Sequence, residues 1–386
     1  MGTDAHKLLL IYNKAYGSLT AYPWMFAHNA HFVVDVLAPR GHIIQSSRWV
    51  RRVFDFNEEE DLFASLVDLL ASGEYAAIHC IDESSRNLIL EHNEDVRLRS
   101  YLPFPFDSSL NTVCCDKVSF HQWCQTEGVP VPKSVIAQTI EGLKRSAADL
   151  GYPFILKGAF GSRGTTVWLI ESELQLVCAS ESFPEMPAWL VQEYLPGKAG
   201  TSSIVCREGV LYTACHSYKT VTLDGGFGTS AVKTFVSSEE LDQLAHLVAE
   251  RTRVNGATGY DWILDSAGRP LLIDPHFGRG PSSMMISHLD GVMIDAALAA
   301  SLSGADPIES HCSKIKHVWI FPQCLSLIFE GRVREAWQAA NLFKKDVAIF
   351  LCGHGEWRLF FKQVVPLAFG KFRVLLGGLR RRCFGD

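Results

Sequence analysis

Short apolar runs separated by amphipathic stretches mark the first 110 residues. Runs buried on both faces, with helical spacing between them, predict a parallel sheet covered by helices. The strand candidates are Lys7 to Tyr12, Phe32 to Leu37 and Ala76 to Ile81. Asp61 to Leu70 places Leu62, Phe63, Leu66, Leu69 and Leu70 at helical spacing and predicts a helix leading into the third strand. From Tyr101 to Asn111 the chain turns to Leu-Pro-Phe-Pro-Phe-Asp-Ser-Ser, a rigid connection that predicts a first domain boundary.

Beyond it the pattern changes. Asp116 to Glu127 reads as a helix with Phe120, Trp123 and Cys124 on one face, and Ile140 to Leu150 as a second. Strands are expected at Phe154 to Lys157, Thr165 to Ile170, Trp189 to Glu193, Ile204 to Arg207 and Val210 to His216, the last two joined by a turn at Glu208-Gly209. Thr222 to Ser230, with Asp-Gly-Gly-Phe-Gly-Thr-Ser, reads as a mobile loop over a site. Ser237 to Arg253 carries a Ser-Ser-Glu-Glu start signal and Leu241, Leu244, Leu247 and Val248 on one face, hence an N-capped helix.

The run from Gly259 to Gly280 is the most informative. Trp262-Ile263-Leu264 and Leu271-Leu272-Ile273 flank a turn at Asp265 to Gly268 and predict an antiparallel hairpin. Asp261 opens the first strand and Asp274 closes the second, so pairing brings the two carboxylates to one end. They are a seat for a cation or, equally from the hairpin alone, ordinary strand-edge residues. The loop Gly158 to Gly164 is the second candidate. Its glycines let backbone N–H groups converge on an anion, and Lys157 at its edge supplies countercharge. The loop lacks the GK[ST] ending of a Walker A motif, and a plain turn is its other reading.

Composition narrows the classes. A chain of 386 residues suggests two or three domains, and 47% hydrophobic with 20% charged residues describes a globular protein. A net charge of -6 gives no reason to expect nucleic-acid binding. The 11 cysteines show no CxxC spacing, which favours reduced thiols in the cytoplasm over disulfides or zinc. No signal peptide and no membrane-length apolar run are expected. Asn13 to Thr20 lacks GxGxxG spacing, which disfavours nicotinamide and flavin chemistry. His28, His31 and His79 are assigned no role.

In this order the motifs resemble the ATP-grasp superfamily of carboxylate–amine ligases, including its carbamoyl-phosphate-synthase-like members, over about half the chain, roughly Asp116 to Gly304. They are Asp116-Lys117 before a helix and Gly-Val-Pro-Val-Pro, Tyr-Pro-Phe-Ile-Leu-Lys before the glycine-rich loop, Val-Gln-Glu-Tyr-Leu-Pro-Gly, and Asp-Trp-Ile through Leu-Leu-Ile-Asp-Pro-His. The resemblance implies an α+β ATP-grasp fold preceded by a Rossmann-like parallel-sheet domain. It implies ATP phosphates at Lys117 and Lys157, with Gly161, Ser162 and Gly164 over the β- and γ-phosphates. The adenine would meet backbone groups at Glu193 and Leu195, with Gln192 or Glu193 taking the exocyclic amine. Mg²⁺ would lie at Asp261 and Asp274, with His276 where the family usually has asparagine, and Arg279 would reach the transferring phosphate.

Three departures stand out. Asp274 replaces the usual glutamate while His276 offers nitrogen, which implies either a weakened metal site or better tolerance of Mn²⁺. Lys198-Ala199-Gly200 stands where a ribose-binding glutamate is common, and Arg279 falls one place late. An alternative register sets Asp274 on the asparagine position and Leu272 on the glutamate.

The expected domains are 1–110, 111–305 and a C-terminal extension, 306–386. Within the extension Val347 to Cys352 suits a buried strand. Residues 357–382 mix apolar side chains with Arg358, Lys362, Lys371, Arg373 and Arg380-Arg381-Arg382, a composition compatible with peripheral contact on an anionic membrane or with packing on the protein itself. The functional expectation is a ligase for small-molecule carboxylate and amine substrates, with Lys219, His216 and Arg207 as candidates for the acid. The alternative is an ATP-binding scaffold that has lost turnover. Oligomeric state has no signal in the sequence.

Overall fold

The structure is a computed structural model that describes residues 5–14, 19–161, 165–180, 183, 185–223, 228–308, 313–351 and 355–362. The first sheet comprises β1 (His6–Ile11), β2 (Phe32–Pro39), β3 (Arg52–Phe56) and β4 (Ala77–Cys80), all parallel in the order β3-β2-β1-β4. Leu8 to Ile11 are fully buried, as strands covered on both faces require. The helix Asp61–Leu70 forms where its spacing predicts and buries Leu62, Leu66 and Leu70. β3 is absent from the sequence expectation. It is an edge strand whose Arg52 turns back to the buried Asp35 carboxylate, so its pattern is too polar to read as core. After β4, Asp82 caps the helix Glu83–Glu91 by accepting from Ser85 N at 2.9 Å.

The second sheet is antiparallel, ordered β5-β8-β6-β7, from β5 (Ser134–Ala137), β6 (Phe154–Gly158), β7 (Val167–Ile170) and β8 (Trp189–Glu193). Asp116 caps the helix Lys117–Glu127 through Val118 N and Ser119 N. β7 starts two residues later than expected, because Thr166 is used to close the glycine-rich turn: its hydroxyl donates to Phe160 O at 2.8 Å. Gly161 sits at φ +130°, and a Cβ there would meet Thr166 Oγ1 at 2.2 Å, so only glycine fits.

The third sheet has the order β13-β12-β9-β10-β11-β14-β15, from β9 (Gly200–Arg207), β10 (Val210–Thr222), β11 (Ser230–Phe235), β12 (Gly256–Leu264), β13 (Pro270–Pro275), β14 (His317–Phe321) and β15 (Val347–Leu351). Its pairs are antiparallel except β14 with β15. The helix Glu239–Thr252, capped by Ser238, packs Leu241, Leu244 and Val248 into a core shared with Trp262 and Leu272. β14 and β15 extend this sheet past residue 305; β15 forms where a buried strand was expected, but at the sheet edge with Phe350 buried and Ile349 exposed. Of 357–382, residues 357–362 are described and helical, with Trp357 and Phe361 exposed. Among the described residues no single helix is long and apolar enough to cross a membrane.

Candidate active site

The hairpin forms, with one difference from its expected shape. β12 begins at Gly256, so Asp261 lies inside the strand and does not open it. The added residues Gly-Ala-Thr-Gly carry no apolar alternation because β12 passes close to β9 there: a Cβ on Gly259 would lie 2.2 Å from Ser202 O. Asp261 and Asp274 are directly paired across the strands. The next pair is Trp262 with Leu272, which leaves Ile273 as the extra residue of a bulge. The Ile273 carbonyl, freed from the ladder, accepts from Lys157 Nζ at 2.9 Å. One irregularity in the hairpin thus aims a lysine of the second sheet at the carboxylates of the third.

Asp261 is buried. Its Oδ1 accepts from Thr201 Oγ1 at 2.8 Å and lies 3.2 Å from His276 Nε2, while Lys219 Nζ meets Oδ2 at 2.5 Å. Burial alone would raise the Asp261 carboxyl; Lys219 and His276 outweigh it and hold the group well below the usual carboxylate range. On the other side of the His276 ring, Arg279 Nη2 donates to Nδ1 at 2.9 Å. An arginine can only donate, so these partners assign the ring hydrogen to Nε2, facing Asp261. Arg279 also reaches Glu83 at 3.8 Å and bridges to Cys80 at the end of β4.

Ligand atoms of Asp261, Asp274 and His276 lie within 4.8 Å of one another. Two carboxylates fit a hard divalent cation that takes its remaining oxygens from phosphate and water. Ligation by His276 Nε2 requires that ring proton to leave first, so the carboxylates carry the fit.

One cavity of about 380 Å³ gathers most of the expected residues: Lys157, Gln192, Glu193, Leu195, Asp261, Asp274, His276 and Arg279 all line it. Lys157 is buried, and burial pushes its ammonium down to about 8 against the pull of Asp274, so it stays largely charged at neutral pH. Gln192 and Glu193 lie at the end of β8. The Glu193 carboxylate accepts from Lys133 N at 2.7 Å, and Gln192 Nε2 reaches Ser134 Oγ at 3.4 Å. Lys117 is not among the lining residues; its Nζ donates to Gly161 O, tying the helix start to the glycine-rich turn. Ser162 and Gly164 lie outside the described residues. Ile81, Asp82 and Glu83, which follow β4, also line the cavity, though Asp82 is already occupied by the backbone of Asn13, Lys14 and Ser85.

Of the three candidates for an acid substrate, Lys219 lines the cavity. His216 is held by Ser202 and Asp242 at 2.7 and 3.1 Å, and Arg207 ends β9 beside Glu208. Sequence reasoning missed Lys233. β11 occupies Ser230–Phe235, and register sets Lys233 directly across from Lys219. Both signals were present: Thr220, Val221 and Thr222 continue the β-branched run of β10, and Ala231 to Phe235 is dominated by strand-favouring residues. The expected loop, Thr222 to Ser230, instead has Thr222 in β10 and Ser230 in β11, with 224–227 outside the described residues; Ala231 to Phe235 carries no expected element.

Residues 114–274 match the model of the ATP-grasp domain. The D-alanine–D-alanine ligase of Pelotomaculum thermopropionicum is 22% identical over 238 residues, 55% of this chain and 72% of that protein. The carbamoyl phosphate synthase arginine-specific large chain of Geobacillus stearothermophilus is 29% identical over 90 residues, and that match spans only 9% of its length. Among solved structures, the biotin carboxylase domain of the Hydrogenobacter thermophilus 2-oxoglutarate carboxylase, in complex with MgADP, ADP and bicarbonate, superposes with a TM-score of 0.60. It is 16% identical, over 80% of this chain and 72% of that one. The L-amino acid ligase of Bacillus licheniformis gives 0.58 at 17% identity, over 80% and 76%. At these identities the structural likeness shows the fold: an N-terminal parallel four-stranded sheet followed by the antiparallel sheets of an ATP-grasp protein.

Proposed function

We propose, from the premise that this chain is an ATP-grasp superfamily protein, that it is an ATP- and Mg²⁺-dependent ligase joining a carboxylate to an amine through an acylphosphate. The observation that carries the reading is the meeting of Asp261 and Asp274 with the buried Lys157 in one cavity, beside the polar edge at the end of β8. The name of the D-alanine–D-alanine ligase relative supports carbon–nitrogen bond formation.

Each residue has a physical task. With the Glu193 N–H taken by Lys133 O at 2.9 Å, the Glu193 carbonyl would offer an acceptor and Leu195 N–H a donor to an adenine edge, and Gln192 an amide. Lys157, held by Ile273 O, presents fixed positive charge to phosphate oxygens in a site of low dielectric, where charge complementarity is worth most. Asp261 and Asp274 are the seat for Mg²⁺, which when bound neutralises phosphate charge and fixes phosphate geometry. Arg279, braced by His276 and Glu83, faces the same cavity as a second cation for the transferring group. In the reaction a carboxylate oxygen bonds to the γ-phosphorus as the bond to ADP breaks. The amine then attacks the acyl carbon and phosphate leaves.

The test is phosphate release from ATP by the purified chain with Mg²⁺ or Mn²⁺, against pools of carboxylic acids and amines, beside a Lys157→Met control. Release that needs an acid and is lost in the control supports the ligase. ATP binding with no release in any pool turns the reading to an ATP-binding scaffold.

A further inference from the structure

Two buried lysines line the cavity, Lys157 and Lys233, and among the described residues neither has a carboxylate within 4.0 Å. Lys157 has a task in the ligase reading. Lys233 has none, and its surroundings are unusual. Among the described residues its Nζ reaches two hydroxyls, Thr201 Oγ1 at 3.1 Å and Ser217 Oγ at 3.5 Å. Its direct cross-strand partner is another lysine, Lys219. Like charges set opposite on a sheet destabilise it unless something comes between them or draws one away. Asp261 pairs with Lys219 at 2.5 Å, whereas among the described residues no carboxylate pairs with Lys233. Burial, with Lys219 adding to it and only a partial pull the other way from Asp261, pushes the Lys233 ammonium down to about 7.

We infer that Lys233, with the hydroxyls of Thr201 and Ser217, is the binding site for the carboxylate of the acid substrate, which it holds beside the Asp261–Asp274 pair. The inference rests on the ligase reading and adds the residue that seats the acceptor. Position favours this anion over a nucleotide phosphate. Lys117 and Lys157 stand on the second-sheet side of the acid pair. Lys233 comes from β11, three strand positions beyond β12, roughly 14 Å between strand axes. Its Nζ reaches back to Thr201, whose hydroxyl is itself bonded to Asp261 Oδ1. The ammonium is therefore two hydrogen bonds from the metal seat, on the side away from the phosphate lysines. A carboxylate gripped there through one oxygen has the other free toward the Asp261–Asp274 end of the cavity. An anion at this point also relieves the repulsion between Lys233 and Lys219, more so when a divalent cation shares the charge of Asp261.

The experiment is calorimetric titration of the full chain, loaded with Mg·ADP, with acetate, glutarate, glutamate, acetamide and inorganic phosphate. The wild type is compared with Lys233→Met and Lys233→Arg. At least one carboxylate is expected to bind the wild type, about tenfold or more weakly to Lys233→Met and within a few-fold of wild type to Lys233→Arg. Acetamide should not bind, and all three proteins should take up Mg·ADP alike. Equal carboxylate affinity in Lys233→Met, binding of phosphate alone, or no carboxylate binding to the nucleotide-loaded wild type overturns the assignment. Failure of the wild type to bind Mg·ADP at all sinks the ligase reading, and this inference with it.

Discussion

Two like-charged cross-strand pairs sit in one sheet, and they are settled in opposite ways. Asp261 faces Asp274 on β12 and β13; Lys219 faces Lys233 on β10 and β11. The acid pair is well provided for, since Thr201, Lys219 and His276 all approach Asp261. The lysine pair is served on one side only, by the same Asp261, and Lys233 is left with hydroxyls. β9 runs between them and Thr201 touches both, so the proposed cation and anion seats would be spaced by one strand. The comparison teaches where ligand charge is missing: Asp261 is held by Lys219 and His276 of the chain itself, whereas Lys233 has hydroxyls alone among the described residues.

The comparison can be broken most severely at the acid pair. Asp274→Asn keeps the shape and removes one carboxylate of the metal seat. Metal-dependent ADP release should fall by about 100-fold or more, while the melting temperature holds, as a coupled-enzyme assay and thermal denaturation will read. Unaltered turnover would rule out the metal role of Asp274. Next comes Lys157→Met, which removes a charge-assisted contact to phosphate. Nucleotide affinity should drop roughly 10- to 100-fold by calorimetry.

Lys219→Met severs the link between the two pairs and leaves Asp261 with a carboxylate less well paired. The chain should lose about 1–3 kcal/mol in urea denaturation, discounted from the fully buried case because Lys219 is 24% exposed. Added Mg²⁺ should restore part of that loss by binding the freed carboxylate.

The smallest effect is on stability in Lys233→Met, and its sign is the informative part. The unfolded chain keeps the Lys233 proton up to the ordinary lysine range, whereas the folded chain gives it up near pH 7. Between those limits the unfolded state binds more protons, so the wild type gains stability as pH rises. The variant should therefore be the more stable protein below pH 7, by on the order of 1 kcal/mol, with its advantage fading as pH climbs. Denaturation midpoints across that range check it.

The same contrast shows what the sequence could disclose. The acid hairpin was legible because two apolar runs flank a turn, a signal confined to a few residues, and both aspartates lie within it. The bulge at Ile273 was not, since it depends on how β12 pairs with β13. Lys219 and Lys233 are brought together by a register between strands separated by glycines, and no local pattern records which residue faces which. The helix after Ser238 was readable from its Ser-Ser-Glu-Glu start, and the helices Lys117–Glu127 and Ile140–Leu150 form where they were expected. The short edge strands β3 and β5 were not, because their polar or proline-flanked sequences resemble loops. The extension beyond residue 305 gave one readable strand in β15, yet nothing in its own pattern says that β14 would carry it into the same sheet as the active site.

The central claim is that this cavity moves phosphate from ATP onto a carboxylate. Hydroxylamine trapping tests it without knowledge of the natural amine. The purified chain is incubated with ATP, Mg²⁺ and a pool of carboxylic acids in hydroxylamine, and hydroxamate is quantified against ADP, with Asp274→Asn in parallel. The account predicts hydroxamate in step with ADP for the wild type and neither product for the variant. ADP without hydroxamate, or bound ATP that is never turned over, would contradict it.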